Sequence, residues 1–238
     1  MTTDKVPQPG DTLGDRIKKY ERASRPFLTP NAPVLIRVDG KAFHTWTKHM
    51  NKPFDHGLVK SMQEATALTA AQMQGFKLAY TQSDEATFMI TDTDRLESQP
   101  WLDYNVNKLV SVTASMFTLH FNLSAREHIA PSLAPAYFDA RAFNVPYEDA
   151  ANAFLWRQRD WERNSLMMYA RSAISHHRLY GKKRDEVHEM LHEYNLNWAD
   201  LDPVLKNGTW LDNAGNMSYD KLAYAEITEL TETGPGSR

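Results

Sequence analysis

Ala32-Pro33-Val34-Leu35-Ile36-Arg37-Val38, with Asp39-Gly40 directly after it, is a nearly continuous apolar run rich in β-branched residues. A run of this kind suits a central strand buried in a sheet, and Asp39 then stands where that strand ends. Before it, Leu13–Ala23 reads as a helix. Beyond Phe43, His44 and Trp46, residues 55–74 carry Leu58, Met62, Ala65, Leu68 and Met73 at amphipathic spacing, which predicts a helix capped by Asp55 and stopped by Gly75. Residues 76–81 and 86–91 have strand character on either side of the polar turn Gln82-Ser83-Asp84-Glu85, a hairpin with two acids at its tip. A long helix over 104–121 and a strand over 136–145 follow. Pro146 fits the first turn of another helix, helical sequence runs on with few breaks to Gly181, and a further helix covers 184–194. That order predicts an α+β fold, an antiparallel sheet backed by helices on one face, with a C-terminal helical extension from 146.

With 238 residues, 42% of them hydrophobic, the chain suffices for one large domain or a core with an added helical part. The prolines and glycine among the first ten residues suggest a flexible leader over 1–12, and 230–238 reads as a flexible tail. No cysteine is present, which excludes disulfides and thiolate metal sites and leaves oxygen or imidazole ligands, the set that suits magnesium. The first residues lack the apolar core of a signal peptide, and no stretch approaches the roughly 18 apolar residues of a membrane span, so a cytoplasmic protein without membrane contact is expected. Charge is uneven: residues 156–184 hold eight basic side chains against Asp160 and Glu162, in a chain of net charge -3. Such asymmetry can mark a polyanion-binding face or simply a solvated helix. Arg159 with Arg163, and Arg171 with Arg178, have spacings that would let each pair share a helical face and track RNA phosphates, while Trp156, Trp161 and Tyr169 read as packing residues.

Asp39 at a strand end and Asp84 on a hairpin tip lie far apart in sequence, yet adjacent strands of one sheet would bring them together. Two carboxylates in contact repel unless a cation lies between them, and a hard divalent ion with oxygen ligands is the usual remedy. Two such ions about 3.5–4 Å apart are the device of phosphoryl displacement. Gly40 after the acid lets backbone approach a ligand, and its carbonyl is a candidate ligand itself. Arg37 shares strand parity with Asp39 and should face the same side.

Ile36-Arg37-Val38-Asp39-Gly40-Lys41-Ala42-Phe43-His44 resembles the R-[ILV]-D-G-R-x-F-H segment of tRNA-His guanylyltransferases, and Tyr80-Thr81-Gln82-Ser83-Asp84-Glu85-Ala86-Thr87-Phe88 is similar to their Y-G-Q-S-D-E-[YA]-[ST]-F hairpin. Further matches are Lys52-Pro53-Phe54-Asp55, the Lys108 region, Tyr137-Phe138-Asp139-Ala140-Arg141 and Trp156-Arg157-Gln158, so the resemblance spans roughly residues 13–210. It implies a polymerase-palm-like catalytic core over 13–145 and, packed on it over 146–229, a helical extension forming the RNA-binding region. It also implies a nucleotidyltransferase that activates an RNA 5′ phosphate with ATP or GTP and adds nucleotides in the 3′-to-5′ direction. By the same resemblance Asp39, the Gly40 carbonyl and Asp84 hold two magnesium ions, and Glu85 joins Asp39 and Asp84 as a catalytic candidate. Arg37, Lys41, Ala42, Phe43, His44, Ser83, Lys108 and Arg141 become the nucleotide- and phosphate-binding candidates. Implied partners are tRNA or another RNA with a 5′ phosphate, ATP and GTP, and further copies of the chain in a homotetramer or homodimer.

The chain departs from the family where Glu162-Arg163-Asn164-Ser165 replaces a His-x-Asn-Asn segment linked to tRNA-His recognition, and where Thr81 replaces a turn glycine. The RNA substrate is therefore left open, with the template-dependent, tRNA-repairing relatives as one direction. Competing readings are another palm-fold activity such as a nucleotidyl cyclase, or a non-catalytic nucleotide- or RNA-binding module. Clustered acids argue against the module, since without metal they repel phosphate.

Overall fold

The computed structural model of the chain describes residues 10–95 and 97–232. Thr12 caps α1 (Leu13–Ala23) in a reciprocal box: its hydroxyl accepts from the Asp15 N–H and its own N–H donates to the Asp15 carboxylate. The expected leader thus ends in a helix cap, and its residues 1–9 lie outside the described ones. β1 (Val34–Gly40) is followed by a single turn, α2 (Phe43–Trp46), and then by α3 (His56–Ala70), capped as expected by Asp55, whose carboxylate accepts from the Leu58 N–H at 3.0 Å. α3 stops at Ala70 rather than 74, and Gly75 does different work from a helix stop. At φ +75° it accepts from the Thr91 N–H and lies so close that a Cβ would sit 1.9 Å from the Thr91 carbonyl, so it shapes the strand entry.

β2 (Phe76–Gln82) and β3 (Glu85–Ile90) form the hairpin, with only Ser83 and Asp84 between the paired Gln82 and Glu85. α4 (Val106–His128) runs past the expected end at 121 because its buried face continues through Ser124 and Ala125. After β4 (Phe138–Asn144), Pro146 stands at the N-cap of α5 (Tyr147–Ala173), one place before the first turn. Ile174 takes extended backbone and ends α5, so the helical stretch expected to reach Gly181 is split, and α6 (His176–Leu179) carries Arg178 onto a different helix from Arg171. α7 (Arg184–Glu193) and α8 (Pro203–Asn207) follow, then β5 (Thr209–Asp212), β6 (Met217–Ser218) and α9 (Tyr224–Glu232). α9 makes residues 230–232 helical, where a tail was expected, and 233–238 lie outside the described residues.

The strands form one antiparallel sheet in the order β4-β1-β3-β2-β5-β6. Two expectations are corrected here. The segment after 146 is not purely helical, because β5 returns to pair with β2; at four residues it is too short to show a period of its own. Helices also cover both faces of the sheet, not one. Val34, Ile36 and Val38 pack with Phe88, Phe117 and Phe121 beneath α3 and α4, while Leu35, Leu78, Tyr80 and Met89 pack with Phe154, Trp210 and Ile227 beneath α5 and α9. The continuous burial of β3 is the consequence, since a strand alternates only when one face is wet. Each fully buried side chain of this size contributes roughly 1.5–3 kcal/mol of transfer free energy. A smaller cluster of Leu166, Ala170, Leu179, Val187 and Leu191 joins the end of α5 to α6 and α7. Among the described residues no helix is long and apolar enough to cross a membrane.

Candidate active site

Strand parity sends Leu35, Arg37 and Asp39 to the α5 face of the sheet. The register then places Asp39 between Glu85 and Asp139, and Arg37 between Thr87 and Arg141, on the flanking strands. The Gly40 N–H donates to the Asp84 carbonyl at 3.0 Å, which ties the end of β1 to the hairpin tip. The Ser83 hydroxyl donates to the Asp84 carboxylate at 3.0 Å from a left-handed backbone, φ +51°. Burial raises the Asp84 carboxyl above its ordinary value and the Asp39 charge adds to this, opposed by the Ser83 hydrogen bond.

Glu85 has a different role from its neighbour. Its carboxylate accepts from Arg157 twice, Nε at 2.6 Å and Nη2 at 2.8 Å, and Arg37 Nε lies 4.0 Å away. Burial raises its pKa while Arg157 and Arg37 pull it down. Glu85 thus ties α5 to β3 beside the acids. Arg157 is a side chain at this site that the sequence does not single out, because a partner 72 residues away leaves no local signal.

Two clefts meet at the hairpin tip. One, of about 350 Å³, lies between the hairpin and α2–α3, and His44, Phe54, Gln63, Ser83 and Asp84 are among its lining. The other, of about 370 Å³, opens toward α5 and is lined by Asp39, Asp84, Glu85, Arg157, Arg163 and Arg171 among others. Gln82, Ser83, Asp84, Trp161 and Met168 border both. Trp161 is buried, as a packing residue should be, but Trp156 is 56% exposed with Arg157 stacked 4.6 Å from its ring centroid.

The other candidates divide. His44 is exposed on the first cleft, while Phe43 is core, packed against Trp46, Phe121 and Phe138. Ala42 adopts φ +55° at the turn into α2, and the exposed Lys41 is held through its N–H by the Tyr137 carbonyl at 2.8 Å. Gly40 is needed for packing: a Cβ there would meet the Phe43 ring at 2.2 Å. Arg141 is exposed on the site face beside Asp139. Lys108 is not brought to the clefts. It stands in the first turn of α4, next to the Tyr104–Leu28 and Val106–Pro26 hydrogen bonds, at the end of the sheet opposite Asp39.

The departing segment 162–165 also becomes legible. Glu162 is buried, 2.6 Å from Lys221 Nζ and 3.6 Å from Arg184, and the Ser165 hydroxyl accepts from the Trp198 indole N–H. Those two positions are interior, and only Arg163 and Asn164 reach the second cleft.

No three His, Asp or Glu side chains converge as a ready ligand set among the described residues. Two carboxylates in one cleft, with Arg157 bonded to Glu85 instead of to them, nonetheless fit magnesium, which binds through one or two carboxylates plus substrate phosphates and water. The raised Asp84 pKa leads to a test. Because its folded pKa lies above the ordinary 3.8, stability is greatest while the carboxyl is protonated and falls as pH rises through the folded pKa. Asp84→Asn is therefore expected to raise the unfolding temperature at pH 7 without divalent ions, by roughly 2–4 °C, the shift about 1 kcal/mol produces in a chain of this size. The gain should vanish toward pH 3.8. An Asn variant no more stable than wild type in a thermal melt at pH 7 overturns the reading.

The family model described as tRNAHis guanylyltransferase matches residues 14–146. The tRNA(His) guanylyltransferase of Schizosaccharomyces pombe is 30% identical over 211 residues, covering 82% of this chain and 78% of that protein. A bacterial tRNA(His) guanylyltransferase-like protein solved in complex with ATP superposes with a TM-score of 0.89 at 36% identity, over 93% of this chain and 100% of that one. A structure of such a bacterial protein in complex with GTP gives 0.79 at 33% identity, with the same coverage. The sheet described above is thus the palm-like fold of these proteins.

Proposed function

The chain belongs to the tRNAHis guanylyltransferase family, and we propose that it is a nucleotidyltransferase adding GMP or another nucleotide to the 5′ end of a tRNA or related RNA. The observation that carries this reading is the Gly40–Asp84 hydrogen bond, which ties the end of β1 to the hairpin tip so that Asp39 and Asp84 line one cleft of nucleotide size and Asp84 borders a second.

In the proposed sequence a 5′-phosphate oxygen of the RNA forms a bond to the α-phosphorus of ATP or GTP, and pyrophosphate leaves. The 3′-hydroxyl of an incoming GTP then bonds to the activated 5′ phosphorus, losing its proton as the nucleoside monophosphate departs, so growth runs 3′-to-5′. Magnesium, held by Asp39, Asp84 and the Gly40 carbonyl, would supply charge neutralisation at the phosphoryl oxygens. The partly apolar cleft beside α2 and α3 suits a base and ribose, with His44 and Ser83 at hand for the triphosphate. Arg37 and Arg141, paired across β1 and β4, suit the phosphates at the RNA end. Glu85 holds Arg157 and keeps α5 in register with the acids. The proposal extends to a core over 13–145 with an RNA-binding extension from 146, to assembly as a homodimer or homotetramer, and to work in the cytoplasm.

The test is incubation of the full chain with magnesium, labelled GTP or ATP, and a panel of 5′-monophosphorylated RNAs. Lengthened, labelled RNA is expected. No incorporation on any RNA, or cyclic nucleotide formed without RNA, would refute the proposal.

A further inference from the structure

A third cleft, of about 540 Å³, lies between the end of α5 and α6–α7. Its floor is apolar, with Leu166, Leu179 and Val187 belonging to the cluster that fastens these helices together. Its walls are cationic: Arg163, Arg171, Lys182, Lys183 and Arg184 line it, and no Asp or Glu does. Lys182 pairs with Glu186 at 2.8 Å, Arg184 approaches Glu162 at 3.6 Å, and Arg163 pairs with Asp160. Arg171 and Lys183 have no ion-pair partner among the described residues. The Lys182–Glu186 pair is exposed on both sides and holds little free energy, so Lys182 can turn to a stronger anion.

This cleft is continuous with the one holding Asp39 and Asp84, because Arg163, Met167 and Arg171 border both. Arg163 and Arg171 are eight residues apart on α5, roughly 12 Å along the helix axis. A row of cations leading away from the acids on a rigid helix is suited to a polyanion whose end reacts at those acids. We infer that the α5–α7 cleft is a phosphate-binding subsite for the RNA chain, holding its backbone a short way from the reacting 5′ end. The inference rests on the RNA substrate proposed above. It also gives five of the eight basic residues over 156–184 one shared surface.

Lys182→Ala/Lys183→Ala removes two cations that line only this cleft. Binding of a fluorescent, 5′-monophosphorylated RNA is followed by anisotropy across a salt series, without nucleotide so that no turnover occurs. The slope of log affinity against log salt is expected to become shallower by about 2, with weaker binding at low salt, and Lys182→Arg/Lys183→Arg is expected to restore it. ATP affinity and unfolding temperature should stay at wild-type values. An unchanged slope overturns the inference, as does ATP affinity falling in parallel, or a polyglutamate peptide displacing RNA as well as RNA itself does. Because binding is read without chemistry, an inactive protein with a normal salt response refutes the catalytic proposal alone. An active protein whose variant keeps the wild-type slope refutes this one alone.

Discussion

Replacing Asp39 or Asp84 by alanine should cut nucleotide incorporation into RNA about a thousandfold or more, while the protein remains folded. Each carboxylate stands at the cleft mouth with no basic side chain committed to it across the β1–β3 row, so its removal relieves repulsion. What is lost is charge placed to organise phosphoryl groups, and about 4 kcal/mol of transition-state stabilisation corresponds to about three decades in rate. The measurement is incorporation of labelled nucleotide, with a thermal melt of each variant beside it. Either alanine variant turning over within tenfold of wild type would remove the acids from the chemistry.

Arg157→Met is expected to be the most damaging single change to the fold near the site, at about 3–5 kcal/mol. The methionine keeps an apolar stem but leaves Glu85 ionised, buried and beside Asp39, without the two hydrogen bonds at 2.6 and 2.8 Å that now satisfy it. In a chain of this size that is a fall of roughly 6–20 °C in unfolding temperature. The loss has a pH signature. Glu85 already titrates above its ordinary 4.5 because of burial, and without Arg157 it rises further, so the deficit is full at neutral pH and shrinks as pH falls toward 4.5. Adding Glu85→Gln to Arg157→Met should recover part of the loss, since no charge is then buried. If Arg157→Met melts with wild type, or Gln brings no recovery, the pair does not anchor α5.

Much of this was legible before any coordinates. Continuous apolar runs, the Asp55 cap and the polar turn at 82–85 are local signals, and β1, α3 and the hairpin follow from them because propensity and capping act over a few residues. Parity put Arg37 and Asp39 on one face by the same reasoning. Gly75 was misread as a helix stop, and Gly40 has a packing reason beyond the one its sequence suggested: each is a glycine because of an atom contributed from elsewhere, the Thr91 carbonyl and the Phe43 ring.

The sequence by itself determined the strand, the turn and the residue types able to do phosphoryl chemistry, since these depend on neighbours along the chain. Tertiary structure alone decided that Glu85 belongs to Arg157, that Lys108 faces the far end of the sheet, that β5 closes onto β2, and that three clefts run together along α5. Those outcomes depend on which faces meet after burial, and the energy of a contact between distant residues leaves no periodic trace in either segment.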